Sequence, residues 1–253
     1  MYYQKIDDIE FVAGRWPLDP NLETVIFIHG AGGTNLLWHH QVEALADSMN
    51  TIAPDLPGHG NSGGKAMEKV EDYARSVSAF IQSTGVKRPV ICGLSMGGAI
   101  VLQLLIDEQD DYRAGITANT GAKLKTQSFI FDMIENDYKG FVHGMYSFGI
   151  SDKTNPAKLK PIVDSMEECP PGIVKSDFLA CDAFNVMDRL HEIRVPVLVL
   201  TASDDQLTPV KFGNYLAERI SGAAIANIED AGHLSPIEKP EEVTQAIRNF
   251  LEE

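Results

Sequence analysis

Cysteine is scarce in this chain. The three present, Cys92, Cys169 and Cys181, are too few and too scattered for a disulfide framework or a cysteine-based zinc site. A reducing cytoplasm is the compartment that fits. Positive charge is also in short supply, with 21 Lys plus Arg against 36 Asp plus Glu and a formal charge of −15. The field of such a chain repels phosphate backbones and anionic bilayers, so neither nucleic acid nor a membrane surface is an expected partner. No run reaches the ~20 apolar residues of a membrane span. Residues 1–10 carry Asp7, Asp8 and Glu10 where a secretory signal needs an uncharged apolar stretch. We therefore expect neither export nor insertion. Repeats and low-complexity tracts are absent, leaving 253 residues of ordinary globular composition, 44% hydrophobic and 23% charged. A chain of this length buries roughly 70 to 75% of its extended surface and can build its own core.

The periodicity predicts strands alternating with helices. Tyr2–Ile6 and Ile9–Ala13 read as the arms of a hairpin turning at Asp7-Asp8. Val25–Ile28 and Pro89–Gly93 are short continuous apolar runs, as expected of strands buried on both faces of a parallel sheet. Thr51–Asp55, Ala114–Ala118, Val195–Leu200 and Ala223–Ile228 read as further strands. Helices are predicted through residues 70–81, 97–107 and 210–220 and after Pro240. The alternation stops between 122 and 190, where Phe129–Tyr138 and Ser176–Leu190 read as helices around a Gly/Pro-punctuated stretch. The expected fold is therefore an α/β core made of 1–121 and 191–253, with a mostly parallel sheet flanked by helices. A helical cap is inserted at 122–190.

The chemistry concentrates at strand ends. Gly93-Leu94-Ser95-Met96-Gly97 is a G-x-S-x-G motif lying directly after a buried strand and before a helix. Flanking glycines permit the sharp turn that lifts the Ser95 hydroxyl out of the sheet. The helix N-terminus behind it offers N–H groups and positive potential to a developing oxyanion. A serine hydroxyl is a weak nucleophile at neutral pH, so it needs a base, and the base needs a carboxylate to fix its tautomer. Asp204 and Asp205 follow one apolar strand, and His233 follows the next. Both segments fall at the edge of the sheet that presents Ser95.

The order serine, acid, histidine resembles that of the α/β-hydrolase fold superfamily, specifically its serine esterase-like members with a small helical cap. The resemblance spans nearly the whole chain. It is carried by Ile28-His29-Gly30-Ala31-Gly32-Gly33, by Asp55–Ser62, by Gly93–Gly98, by Asp205–Pro209 and by Gly232-His233. It implies that Ser95 is the nucleophile, His233 the base and Asp205 the acid, since family members place the acid four residues before the proline. It further implies an oxyanion hole made by the backbone N–H groups of Ala31 and Met96. No metal or cofactor is expected.

Serine at the elbow disfavours the family branches that use aspartate there, the haloalkane dehalogenases and epoxide hydrolases. The expected activity is hydrolysis of a small carboxylic ester, with lactone or C–C bond cleavage as alternatives on the same scaffold. A rival of another class is a ligand-binding or signalling protein that keeps the triad with little turnover. Phe129, Met133, Phe141, Met145, Tyr146, Phe148, Phe178 and Phe184 of the insertion are candidates for an apolar pocket over Ser95. A pocket beneath so short a cap is expected to favour acetyl to hexanoyl esters. Arg189 is the only arginine in 122–190, which weakens substrates needing an arginine anchor. His29 and His59 are expected to order their loops, and His39, His40, His143 and His191 to be structural or solvated. Cys92 is expected to be an inert core residue.

Overall fold

The computed structural model describes residues 1–252. Eight strands form one sheet in the order β1-β2-β4-β3-β5-β6-β7-β8. They are β1 Tyr2–Ile6, β2 Ile9–Ala13, β3 Thr24–Ile28, β4 Asn50–Pro54, β5 Val90–Leu94, β6 Ala114–Ala118, β7 Val197–Ala202 and β8 Ala224–Ile228. The β1–β2 hairpin lies antiparallel at one edge, and β2 pairs antiparallel with β4. Every other pairing is parallel. Register places Gly93 beside Ile28 and Leu94 beside Ala118, so the ends of β3, β5 and β6 stop together.

The continuous apolar runs are explained by burial on both faces. Val25 and Phe27 join the core beneath α1 His39–Ala44 and α10 Pro240–Glu252. Ile26 and Ile28 join the core beneath α2 Val70–Thr84, α3 Met96–Glu108 and α8 Val210–Arg219. Alternate residues of one strand thus feed two cores, which is why no polar alternation marks β3, β5 or β7. Helix α3 is buried all round from Met96 to Ile106, as befits the element behind the central strand.

Four helices lie between β6 and β7: α4 Ser128–Asn136, α5 Tyr138–Phe148, α6 Lys160–Glu168 and α7 Pro171–Ala183. This differs from the sequence expectation in three ways. The helix expected through Tyr138 breaks at Asp137, whose side chain accepts a hydrogen bond from Gly140 N at 3.0 Å and caps α5. The stretch expected to be merely Gly/Pro-punctuated holds α5 and α6. The helix expected over Ser176–Leu190 starts at Pro171, a residue suited to the first helical turn, and ends at Ala183. Beyond it Phe184 turns extended, Asn185 bridges Lys123, and Val186 N donates to Ala122 O at 2.8 Å. The segment therefore leaves and rejoins the core at one place. A short α9, Ser235–Glu238, precedes α10. Among the described residues, no helix is long and apolar enough to cross a membrane.

Close backbone approach around β5 leaves no room for side chains. A Cβ on Gly97 would lie 2.3 Å from Ile28 O, and one on Gly93 would lie 2.1 Å from Gly97 O. Gly172, in the exposed first turn of α7, has open space around it. Gly97→Ala is therefore expected to destabilise by at least about 1–3 kcal/mol through overpacking. Gly172→Ala is expected to stabilise by roughly 0.5–1 kcal/mol through lost unfolded-state freedom. Urea unfolding of both variants beside wild type checks the opposite signs.

Candidate active site

Ser95 sits between β5 and α3 with φ 57° and ψ −117°, a backbone conformation that L residues rarely adopt. Neighbouring bonds hold it there. Ser95 N donates to Ala118 O at 3.0 Å, Ala99 N donates to Ser95 O at 3.0 Å, and Thr120 Oγ1 donates to the same oxygen at 2.7 Å. Such strain costs on the order of 1–3 kcal/mol and persists only where the surroundings over-determine it. The loop after β3 runs alongside, since a Cβ on Gly30 would stand 3.2 Å from Ser95 Cβ. Ala31 follows in that loop, and Met96 opens α3.

The loops after β7 and β8 bring Asp205 and His233 together. His233 Nδ1 lies 3.0 Å from Asp205 Oδ2, and both residues are buried. The carboxylate is saturated with donors. Oδ1 accepts from Leu207 N at 2.8 Å and Thr208 N at 2.9 Å. Oδ2 accepts from Thr208 Oγ1 at 2.6 Å and Asn119 Nδ2 at 3.0 Å. Burial alone would raise the Asp205 pKa, but the His233 charge and the bonds from His233 and Thr208 outweigh it and hold the carboxyl far below the usual range. Asp204 points elsewhere. It accepts from Ser151 Oγ at 2.6 Å and lies 3.5 Å from Lys153 Nζ, with its pKa lowered by the Ser151 bond against a small burial effect. Of the two adjacent acids, Asp205 faces His233 and Asp204 faces Ser151.

Two further histidines order the neighbouring loops, with their pKa values moved in opposite directions. His29 Nδ1 faces Gly30 O at 2.8 Å, and Nε2 accepts from Leu56 N at 3.0 Å, so the ring is neutral. Burial and the nearby His59 push its pKa down to about 3. His59 Nδ1 faces Pro57 O at 3.2 Å, and Nε2 faces Asp177 Oδ2 at 2.8 Å. Both ring nitrogens thus face oxygen atoms that favour the protonated, charged ring. Burial opposes that charge, but Asp177 outweighs it and the pKa is raised.

A cavity of about 230 Å³ opens above Ser95 and His233, both of which line it. Leu37, Phe141, Met145, Ile162 and Met166 form much of its apolar wall. Phe129 and Leu207 line it while remaining 53% and 40% exposed, which marks the mouth between α4 and the loop after β7. Among the described residues, no Asp or Glu lines it, and Lys125 at the rim is engaged with Asp182 at 2.7 Å. No group of three or more His, Cys, Asp or Glu among the described residues could hold a metal ion.

The structure brings Ser95, Asp205 and His233 to one sheet edge and places Ala31 among the cavity residues, with Met96 at the α3 N-terminus. Of the expected pocket residues, Phe129, Phe141, Met145, Phe148 and Phe178 line the cavity. Met133, Tyr146 and Phe184 do not. The first two pack on the core from outside, and Phe184 is buried on the opposite side of the sheet beside α2 and α3. Arg189 pairs with Glu192 and Asp107 on the surface, away from the cavity. Cys92 is fully buried, its thiol pKa raised by burial.

Sequence reasoning missed Asn119, Thr208 and Ser235, which form a chain behind the acid. Ser235 Oγ donates to Asn119 Oδ1 at 2.7 Å. Asn119 directly follows β6, so the strand-end logic that found Asp205 could have found it. Glu238 was missed as well. It is buried and accepts from Gly232 N at 2.9 Å and Ser151 N at 2.8 Å, tying the His233 loop to the start of the α5–α6 connection.

A mostly parallel sheet with a strained serine at its central elbow and a His–Asp pair on the same edge defines the α/β-hydrolase class of folds. The chain belongs to the alpha/beta hydrolase family, whose profile matches residues 25–246. It is similar to 3-oxoadipate enol-lactonase 1 of Acinetobacter baylyi, 25% identical over 238 residues that span 91% of this chain and 89% of that protein. A thermophilic esterase from Thermogutta terrifontis, solved with malate bound, is 26% identical with a TM-score of 0.85, covering 96% of this chain and 93% of that one. The enol-lactonase of Burkholderia xenovorans superposes with a TM-score of 0.90 over 100% of both chains. At 23% identity, this last likeness speaks for the fold.

The neutral, buried His29 has a consequence for acid stability. Its folded pKa lies below the ~6.5 of an exposed histidine, so the unfolded chain takes up the proton first. The stability it lends is therefore complete above that value and is lost as pH falls toward 3. In His29→Gln this component disappears. The stability difference between wild type and variant should shrink by about 1.4 kcal/mol per pH unit between roughly pH 6 and 4. Urea unfolding at pH 6, 5 and 4 measures it, and a constant difference would contradict the assignment.

Proposed function

We propose that this protein is a serine hydrolase that cleaves small carboxylic esters through an acyl-enzyme intermediate. The observation that carries this reading is the arrangement of Ser95 and His233 on one cavity, with His233 Nδ1 already bonded to a buried carboxylate. In the proposed cycle, Ser95 Oγ attacks the ester carbonyl while His233 Nε2 takes its proton. Asp205 holds the ring in the tautomer that leaves Nε2 free and stabilises the imidazolium that forms. The N–H groups of Ala31 and Met96 bind the oxyanion, aided by the N-terminus of α3. His233 then returns the proton to the departing alcohol, and water repeats the sequence to release the acid and restore Ser95. No step calls on a metal or cofactor.

Similarity to an esterase at 26% identity supports the ester substrate, and similarity to an enol-lactonase at 25% supports a second reading, lactone opening by the same residues. Size separates both from lipase-like activity. A cavity of about 230 Å³ lies below the ~300–1,000 Å³ of most ligand clefts. Each added methylene that finds apolar wall contributes ~0.8 kcal/mol, whereas one that must strain a packed wall costs ~1–3 kcal/mol. Across p-nitrophenyl esters, kcat/KM is expected to peak between acetyl and hexanoyl. A maximum at decanoyl or longer would contradict the small-ester reading, and preference in a parallel lactone panel would favour the second.

The assignment of roles is tested by substitution. Ser95→Ala should keep the fold and lower turnover by several powers of ten, roughly as triad knockouts do. Asp205→Asn should cost about 10⁴ in kcat by leaving His233 in the wrong tautomer. Asp204→Asn, which disturbs Ser151, Lys153 and Ser203 and leaves His233 untouched, should cost far less. A reversal of the two Asp variants would overturn the acid assignment.

A further inference from the structure

Helix α7 carries one fully buried acid, Asp177, whose carboxylate reaches out of the insertion into the core. Oδ2 accepts from Gly32 N at 2.8 Å and from His59 Nε2 at 2.8 Å, and Oδ1 accepts from Tyr73 Oη. Gly32 is the residue after Ala31, and its φ of 65° sets the path of the loop that passes Ser95. A Cβ there would lie 3.2 Å from Val174 Cγ2 and 3.4 Å from Met166 Cε, so α6 and α7 also press on this loop from outside. Tyr73 Oη in turn accepts from Met67 N at 2.9 Å, which brings α2 into the same cluster.

We infer that Asp177 is a positioning residue that fixes the Ala31 N–H of the oxyanion hole by holding the next amide, Gly32 N–H, from the cap. The inference rests on the ester-hydrolase reading above for its catalytic consequence, but not for its geometry. An oxyanion donor works only when preorganised at the place where charge develops, and a loop residue with a left-handed φ is held by its neighbours rather than by its own preference. A backbone N–H given to a buried carboxylate is a charge-assisted bond, stronger than one to a neutral acceptor. His59 Nε2 stands 2.8 Å from the same carboxylate oxygen, both side chains fully buried, and a protonated imidazole is the partner that a buried carboxylate needs. The insertion is thus more than a roof, because α7 cannot swing away without releasing the loop that carries Ala31. Substrate then enters by the mouth between Phe129 and Leu207, leaving α7 in place.

The test compares wild type, Asp177→Asn, Asp177→Ala and the double variant Asp177→Ala/His59→Gln, which also removes the buried histidine left without its partner and keeps the series interpretable if the single Ala variant does not fold. Active sites are counted by fluorophosphonate titration, and kcat and KM are taken per titrated site with p-nitrophenyl butyrate. Hydrogen exchange is followed in peptides covering 30–37 and 171–183. The Ala variants should lose about 10- to 100-fold in kcat, less than the 10²–10³ of a deleted oxyanion donor, with KM nearly unchanged. Asp177→Asn retains a weaker neutral acceptor and should recover most of that, remaining roughly two- to fivefold below wild type. Exchange at 30–37 should accelerate in the same order while 171–183 stays protected. A kcat per titrated site equal to wild type throughout, or unchanged exchange at 30–37, would overturn the inference, the mark of a purely structural acid. If wild type itself hydrolyses none of the esters or lactones, the ester-hydrolase reading fails, and the exchange series still decides the role of Asp177.

Discussion

The backbone of Ser95 is held at φ 57° by contacts made on every side, and the rest of the site is arranged around that one turn. The turn exists because three segments approach within backbone contact. Gly97 lies against Ile28 O, Gly93 against Gly97 O, and Gly98 against the Thr120 side chain. Any Cβ at these positions would push β3, α3 or the loop after β6 away from the elbow. The same register that ends β3, β5 and β6 together delivers the loop of Ala31, the serine and Asn119 to one place. Strain at the serine is therefore supported by the sheet itself, and hydrogen bonds from Thr120 and to Ala118 secure it.

Around this centre, buried carboxylates organise the loops. Asp205 collects five donors and orients His233. Glu238 binds two backbone amides and fastens the His233 loop to residue 151, while Asp177 binds Gly32 and fastens the loop of Ala31 to α7. A buried carboxylate is stable only when its lone pairs are filled, so each of these sites fixes several groups at once. The asymmetry is instructive. Asp205 and Glu238 gather donors mainly from loops at the sheet edge, whereas Asp177 gathers them from a loop, a second loop and a helix, with a buried histidine among them.

Much of this was legible in the sequence wherever function depends on covalently local context. The elbow announces itself because its glycines, buried strand and following helix are contiguous, and Asp205 and His233 because each follows an apolar strand. The strand pattern was readable because every central strand is buried on both faces. Helix limits in the insertion were not, since they depend on Pro171 opening a helix earlier than the hydrophobic spacing indicates and on Asp137 capping another. Asp177 left no trace at all. Its partners Gly32, His59 and Tyr73 lie 145, 118 and 104 residues away, and a lone acid on a helix gives no sign of facing inward. Phe184 shows the complementary error, an apolar residue placed by segment when only the path of the chain after α7 decides which core it enters.

The central claim is that the strained serine becomes covalently acylated during turnover. The most direct measurement mixes wild-type protein with p-nitrophenyl butyrate, quenches in acid within the first turnovers, and maps the modified peptide by mass spectrometry. The account predicts a single butyryl group on the peptide containing Ser95, appearing with the burst of nitrophenol and vanishing as substrate is exhausted. Hydrolysis without any acylated peptide, or a butyryl group on another residue, would contradict it.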